Sequence, residues 1–216
     1  MMSRREVIQA GLLAGSALSA GAAAQPLQPM RLPPPRMEGG MPLMNALKLR
    51  HSTREYSTRA LPLQTLSDLL WAAFGINRPS GDRTAPYWRH VMVIDVYVST
   101  AEGTWLYEPK AHELQAHQAG DIRAKTGMQD FVGVAPLNLI YVAHGERMTD
   151  VSPEERRLYA SVDAGFIGQN VYLFCASEGL ATGVRASVDR EALAKALKLR
   201  ETQLVVFAQS VGFPKK

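Results

Sequence analysis

Arg50-His51-Ser52-Thr53-Arg54-Glu55-Tyr56 places two guanidiniums, an imidazole and two hydroxyls within five consecutive residues, 50 to 54. Each guanidinium is a rigid fork of donors that matches the oxygens of a phosphate, and Ser52 and Thr53 add neutral donors. The stretch follows a short apolar, helix-like run, Met41 to Leu49, and precedes a polar turn. Taken alone it is either an anion site or a solvated corner between two elements. The surrounding chain separates these readings.

Leu61-Pro62-Leu63-Gln64 introduces a helix through Phe74, with Leu66, Leu69, Leu70 and Ala73 on one face, and Gly75 stops it. Asn77 to Pro86 is rich in turn residues. Val91 to Ser99 is β-branched and apolar, a predicted central strand, and Gly103 to Glu108 reads as its hairpin partner. Ala119 to Lys125 reads as a short helix and Leu137 to Ala143 as another strand. Ser152-Pro153-Glu154-Glu155 is a helix start, with a capping hydroxyl, proline at the first position and acids in the first turn. That helix is predicted to run from Pro153 to Ser177, roughly 38 Å at 1.5 Å per residue. From Val162 onward it is apolar over most of its circumference, which predicts burial in a core or under a subunit interface. A strand near Ala181 to Val184, a helix from Asp189 to Leu197 and a strand from Gln203 to Val211 complete the chain. Helices mixed with strands, and a hairpin inside the sheet, argue for an α+β fold with helices on the faces of one sheet.

Composition narrows the function classes. The 216 residues are 46% hydrophobic and 20% charged, enough for one sizeable core. The net charge of +4 comes with no long basic run, so nucleic acid is not an expected partner. Cys175 is the only cysteine, which excludes an intrachain disulfide, and it lies in an apolar run as a small hydrophobe. No Ser-His-Asp hydrolase pattern is visible. His112, His117 and His144 are isolated and read as surface or turn residues.

Residues 1–24 read as a targeting segment: paired Arg4-Arg5, a mildly apolar run from Val7 to Ala24, and small residues Ala22-Ala23-Ala24 at a cleavage site. The adjacent arginines resemble a twin-arginine signal, which implies a periplasmic or exported protein; a general secretory signal with two arginines is the plainer alternative. The run is too weakly apolar for a stable membrane span. Residues 25–40, with five prolines between Pro26 and Pro35 and then Gly39-Gly40, read as an extended linker or an arm that wraps a partner, ahead of a folded domain at 41–216.

In order, the motifs resemble the nitroreductase family. Arg50-His51-Ser52-Thr53-Arg54 is the first piece. Leu69 to Asn77 with Arg83-Thr84-Ala85-Pro86 is the second, and Asp163 to Leu173 the third. Ser177-Glu178-Gly179-Leu180-Ala181-Thr182 is the fourth, followed by the helix at Asp189 to Leu197 and the terminal Val211-Gly212-Phe213-Pro214. The resemblance covers Leu43 to Pro214. It implies a homodimeric FMN-dependent oxidoreductase with a mostly antiparallel central sheet. Arg50, Ser52 and Arg54 then match positions holding the FMN phosphate and ribityl chain, and His51 matches a position touching the same cofactor. Val184-Arg185-Ala186-Ser187 matches the segment running along the flavin ring, and Lys215 the C-terminal cation near the phosphate. The long helix would be the dimer core.

The chain departs from the family after Pro86. Where small residues and then an asparagine are expected, it has Tyr87-Trp88-Arg89-His90-Val91-Met92. Either His90 replaces the asparagine as a flavin donor, with Tyr87 or Trp88 roofing the ring, or the aromatic residues fill the space and alter the site. His90 and Met92 alternate on a predicted strand, which permits metal ligation, but no second His or Cys is near and no metal is expected. The expected activity is hydride or electron transfer between FMN and a small aromatic or conjugated substrate, with Tyr87, Trp88 and Phe131 as pocket walls. Outside the cytoplasm the electron donor would be a redox partner rather than a nicotinamide, or the reaction would run as an oxidation. The alternative is an exported binding protein that keeps the fold and has lost flavin chemistry.

Overall fold

The computed structural model describes residues 26–216, so the expected targeting segment at 1–24 lies outside the described residues. The elements are β1 (Met30–Arg31), α1 (Leu43–Leu49), α2 (Leu63–Phe74), β2 (Ile94–Ser99), β3 (Gly103–Glu108), β4 (Glu113–Ala119), β5 (Leu137–His144), α3 (Pro153–Glu178), β6 (Ala181–Arg185), α4 (Arg190–Ala196) and β7 (Gln203–Gly212). The strands form one seven-stranded sheet in the order β1-β4-β3-β2-β5-β7-β6, and each neighbouring pair is antiparallel.

Strand alternation assigns the two faces. From β5, Leu137, Leu139, Tyr141 and Ala143 enter one core with Leu66, Leu69 and Leu70 of α2 and Ile167 and Val171 of α3. Ile140 and Val142, between them in sequence, enter a second core with Leu193, Leu197 and Val205 near α4. This is the α+β arrangement the sequence implies, and β5 is buried along its whole length because both its faces are covered.

Two expectations are corrected, at Ala119 to Lys125 and at His144. Ala119 to Lys125 is not a helix: Glu113–Ala119 is strand β4, and only Arg123–Lys125 makes a short 3₁₀ turn. The segment is polar and lacks β-branched residues, yet β3 supplies a pairing partner and Leu114 a buried anchor. The helix at Pro153 keeps one apolar face open in the single chain, which leaves the expected subunit interface standing. Ala160, Ala164, Ile167, Val171 and Cys175 are buried, whereas Leu158, Val162 and Phe166, spaced four residues apart, are 57%, 43% and 44% exposed. Of the three isolated histidines, His117 is exposed and His112 sits in a turn, as expected, but His144 is buried. His144 is buried 2.5 Å from Asp95, His112 bridges Ser67 and Tyr107, and His117 bonds the Leu197 carbonyl.

The proline-rich arm packs on its own domain. Prolines carry no N–H, so the arm is held through carbonyls: Ser67 donates to Pro33 at 2.5 Å, Gln64 to Pro34 at 3.0 Å and the Trp105 indole to Gln28 at 3.0 Å. Arg36 closes the strap with Asp68 at 2.7 Å. At the start of α3 the Ser152 hydroxyl and Glu155 carboxylate form a capping box, and Gly179 ends the helix at φ 68°. Among the described residues no helix is long and apolar enough to cross a membrane.

Candidate functional site

Strand β6 ends the sheet, so one of its edges needs partners from elsewhere. The Arg50–Tyr56 loop supplies them. Thr53 N–H donates to Thr182 O at 2.9 Å, and the Tyr56 hydroxyl turns back to Thr53 O at 2.6 Å. Farther along the edge, Val184 N–H donates to the Tyr172 hydroxyl at 2.9 Å, which lies 2.8 Å from Ser52 Oγ. With Val184 N–H already donating to the Tyr172 oxygen, the phenol hydrogen is free to go to Ser52, and Ser52 can then donate outward. Gly168 allows α3 to come this close: a Cβ there would sit 3.2 Å from the Val184 side chain.

The cations of the loop remain uncommitted. Arg50 lies over the Tyr172 ring at 5.3 Å, and Arg54 is exposed. Neither belongs to any ion pair among the described residues. His51 is exposed, with Nδ1 2.7 Å from Leu49 O, so Nδ1–H donates to that carbonyl. The C-terminus runs beside the same loop: Tyr56 pairs with Pro214, Ser57 N–H donates to Phe213 O, and Lys215 N–H donates to Glu55 O at 3.3 Å. Lys215 is exposed there. Arg50, Ser52, Arg54 and Lys215 are therefore brought to one region by strand β6, α3 and the chain end.

Val184 and Arg185 belong to β6, while Ala186 and Ser187 leave the sheet and are exposed. The Arg185 side chain turns into the core: Nη1 donates to Thr126 O at 2.9 Å and Nη2 to Asn138 Oδ1 at 2.8 Å. No carboxylate pairs with it among the described residues, Nε has no partner, and burial pulls its pKa down to about 10. Phe131 stands between this guanidinium, 5.9 Å away, and the Tyr56 ring, 5.8 Å away. It is thus a neighbour of the Arg50 loop, not of Tyr87 and Trp88.

Tyr87 to His90 form a different structure from the predicted strand. Trp88–His90 is a short 3₁₀ turn in which Arg89 and His90 have φ of 45° and 58°, and β2 starts only at Ile94. His90 and Met92 accordingly do not share a strand face. The His90 ring lies 3.1 Å from Asp82, and Met92 Sδ accepts from Arg83. Asp82 also accepts from Ser80 at 2.6 Å and Tyr87 at 2.5 Å, and these donors hold its carboxyl well below the usual range. Burial, with Asp82 beside it, pushes the Tyr87 phenol up to about 12. The Trp88 ring stacks on Tyr159 at 5.8 Å, and the Trp88 backbone N–H donates to buried Asp163 at 3.0 Å. Trp88 meets α3 at Asp163 and Ser52 meets it at Tyr172, nine residues farther on, roughly 14 Å along the axis. One chain does not bring the Tyr87–His90 turn to the Arg50 loop.

The nitroreductase family model matches residues 47–213. The chain belongs to the nitroreductase family. A protein of Methanocaldococcus jannaschii named as a candidate nitroreductase is 32% identical over 187 residues, 79% of this chain and 94% of that protein. The crystal structure of a candidate nitroreductase from Ralstonia eutropha superimposes with a TM-score of 0.84 at 43% identity, covering 88% of this chain and 91% of that one. An NADPH:FMN oxidoreductase from Vibrio harveyi, solved with NAD+, shares the fold at a TM-score of 0.60 and 18% identity, covering 81% of this chain and 69% of that one.

Within this nitroreductase fold, sequence reasoning missed Tyr172, Asp82 and Asp163. Tyr172 sits in an apolar run, where only its hydroxyl distinguishes it from core. A cavity of about 490 Å³, where Arg36 to Met41 passes over Trp71, Asn170 and Phe174, contains none of the predicted site residues.

Burial pushes the Asp163 carboxyl up to about 6, with the Trp88 N–H opposing that shift. A carboxyl whose folded pKa exceeds its ordinary 3.8 binds its proton more tightly in the folded chain, so stability falls as pH rises from about 4 towards 7. At about 1.4 kcal/mol per unit this amounts to roughly 2–3 kcal/mol. Urea unfolding of Asp163→Asn should lack that part of the pH slope; an unchanged slope would contradict the assignment.

Proposed function

We propose that this chain is an FMN-dependent oxidoreductase that acts as a homodimer on a small aromatic or conjugated substrate. The observation that carries the reading is the loop of Arg50, Ser52 and Arg54. Its two guanidiniums have no counter-ion among the described residues, and its hydroxyl is oriented by Tyr172. Two cations without counter-ions on a loop whose backbone is anchored to the sheet edge suit a phosphate. Arg50, Arg54 and Lys215 would hold the phosphate and Ser52 would donate to it. His51 would stand beside the ribityl chain, and the backbone of Val184 to Ser187 would lie along the ring. FMN, when bound, supplies hydride or electron transfer; the residues bind and orient it. The fold shared with the Vibrio harveyi oxidoreductase, whose name gives FMN and NADPH, supports this reading.

A second copy completes it. Leu43, Met44, Leu47 and Leu49 of α1 and Leu158, Val162 and Phe166 of α3 are all exposed, an apolar surface unusual for a lone chain. Pairing through these helices would bring the Tyr87–His90 turn of one copy towards the Arg50 loop of the other. There His90 and Trp88 would wall the ring and substrate, with Phe131 on the opposite side.

Arg50→Ala combined with Arg54→Ala should weaken FMN binding at least about 100-fold, measured by retention of the yellow chromophore through gel filtration. Undiminished retention would refute the phosphate assignment. Phe166→Asp should convert dimer to folded monomer in sedimentation; a chain that is monomeric before the substitution would remove the dimer from the account.

A further inference from the structure

We propose that Asp163 is a positioning residue that locks the Trp88–Arg89–His90 turn, through the Trp88 amide, into the shape that walls the substrate pocket. The inference rests on the flavin reading for the word pocket, and on the geometry alone for the lock.

The turn is strained. Arg89 and His90 are consecutive non-glycine residues in the left-handed region, a conformation that persists only where its surroundings enforce it. The enforcement is visible on each side. Asp82 takes the Tyr87 hydroxyl at 2.5 Å and lies 3.1 Å from the His90 ring, holding the residues before and at the end of the turn. Trp88 stacks on Tyr159, and the Arg89 guanidinium lies over the indole at 4.9 Å. Asp163 supplies the remaining clamp. It lies one helical turn beyond Tyr159 on α3, so one face of the helix holds both the ring and the amide of Trp88.

Asp163 is also an expensive residue to keep for packing alone. It is 3% exposed, pairs with no cation among the described residues, and makes one hydrogen bond, to Trp88 N–H. A buried carboxylate with so little compensation destabilises the fold, and an apolar residue would fill the site at lower cost. Its one contact is to the backbone of the segment where this chain replaces the small residues its family resemblance calls for. A backbone anchor fixes the path of the turn whatever side chains it carries. The aromatic wall is therefore held rigid at both ends, by Asp82 and by Asp163, so that it can exclude some substrates and admit others.

Limited trypsin digestion of the full chain reads the lock directly, because Arg89 is an exposed cleavage site inside the turn. Asp163→Leu should speed cleavage after Arg89 by about tenfold over other sites, the expected effect of losing one charged hydrogen bond. Asp163→Asn, whose amide oxygen still accepts from Trp88, should cleave like the wild type. Should Asp163→Leu not fold, Asp163→Ser, too short to reach the amide, takes its place in the comparison. Equal cleavage after Arg89 in all variants overturns the proposal. So does acceleration spread evenly over all sites, which would make Asp163 a core residue only. In FMN-loaded protein the Leu or Ser variant should raise KM for a nitroaromatic acceptor several-fold with kcat within about twofold, and Asn should restore it. An unchanged KM beside faster Arg89 cleavage overturns the pocket half. A chain that takes up no FMN refutes the flavin reading and leaves the cleavage result to decide the lock.

Discussion

The Tyr172 hydroxyl joins three parts of the chain that are far apart in sequence. It accepts the Val184 N–H at the edge of the sheet and faces Ser52 on the loop after α1, while its ring lies under Arg50. Without it an edge N–H of β6 would lack a partner and the loop would lose its contact with the long helix. The bond matters because the edge amide is half-buried, and a donor left unsatisfied away from water costs up to about 1–3 kcal/mol. The backbone of the loop that carries the arginine pair is thus anchored to the sheet edge and to the long helix.

Behind that anchor lies a buried polar seam. Gln209 of β7 accepts from Tyr141 at 2.6 Å and donates to Thr182 at 3.0 Å, while Asn138 of β5 accepts from Ser210 and Arg185 and donates to Val132. Polar groups tied in this way inside a low-dielectric core fix strand register as well as holding the sheet together. They bind β5, β7 and β6 together, so the edge that meets the Arg50 loop cannot slide. The anchored end and the strained end of the candidate site are both carried by α3, at Tyr172 and at Asp163.

Much of this was legible from residue order. The β-branched and apolar runs at Val91 to Ser99 and Leu137 to Ala143, and the capping signature at Ser152, lead to strands and a helix close to those observed, because each carries its local preference and its burial pattern together. Strand β4 was not legible: its residues are polar, and it is a strand only because β3 and Leu114 make it one. The apolar circumference of α3 gave no sign of which face stays open, since core and subunit surfaces use the same side chains. At the site, the Arg50 to Arg54 charges were readable because they are adjacent. Tyr172, Asp82 and Asp163 were not, because their roles arise from contacts with residues 120, 5 and 75 positions away. The direction of Arg185, into the core, is set by strand alternation against Asn138 and Thr126 and needed the sheet to be seen.

The central claim is that the Arg50 loop recognises a phosphate, and FMN and riboflavin differ by that group alone. Titration of the flavin-free protein with each, followed by quenching of flavin fluorescence, tests it. The account predicts riboflavin binding at least about 100-fold weaker than FMN binding, with the difference removed by Arg50→Ala and Arg54→Ala together. Equal affinity for the two flavins, or a preference for FMN that survives those substitutions, would contradict it.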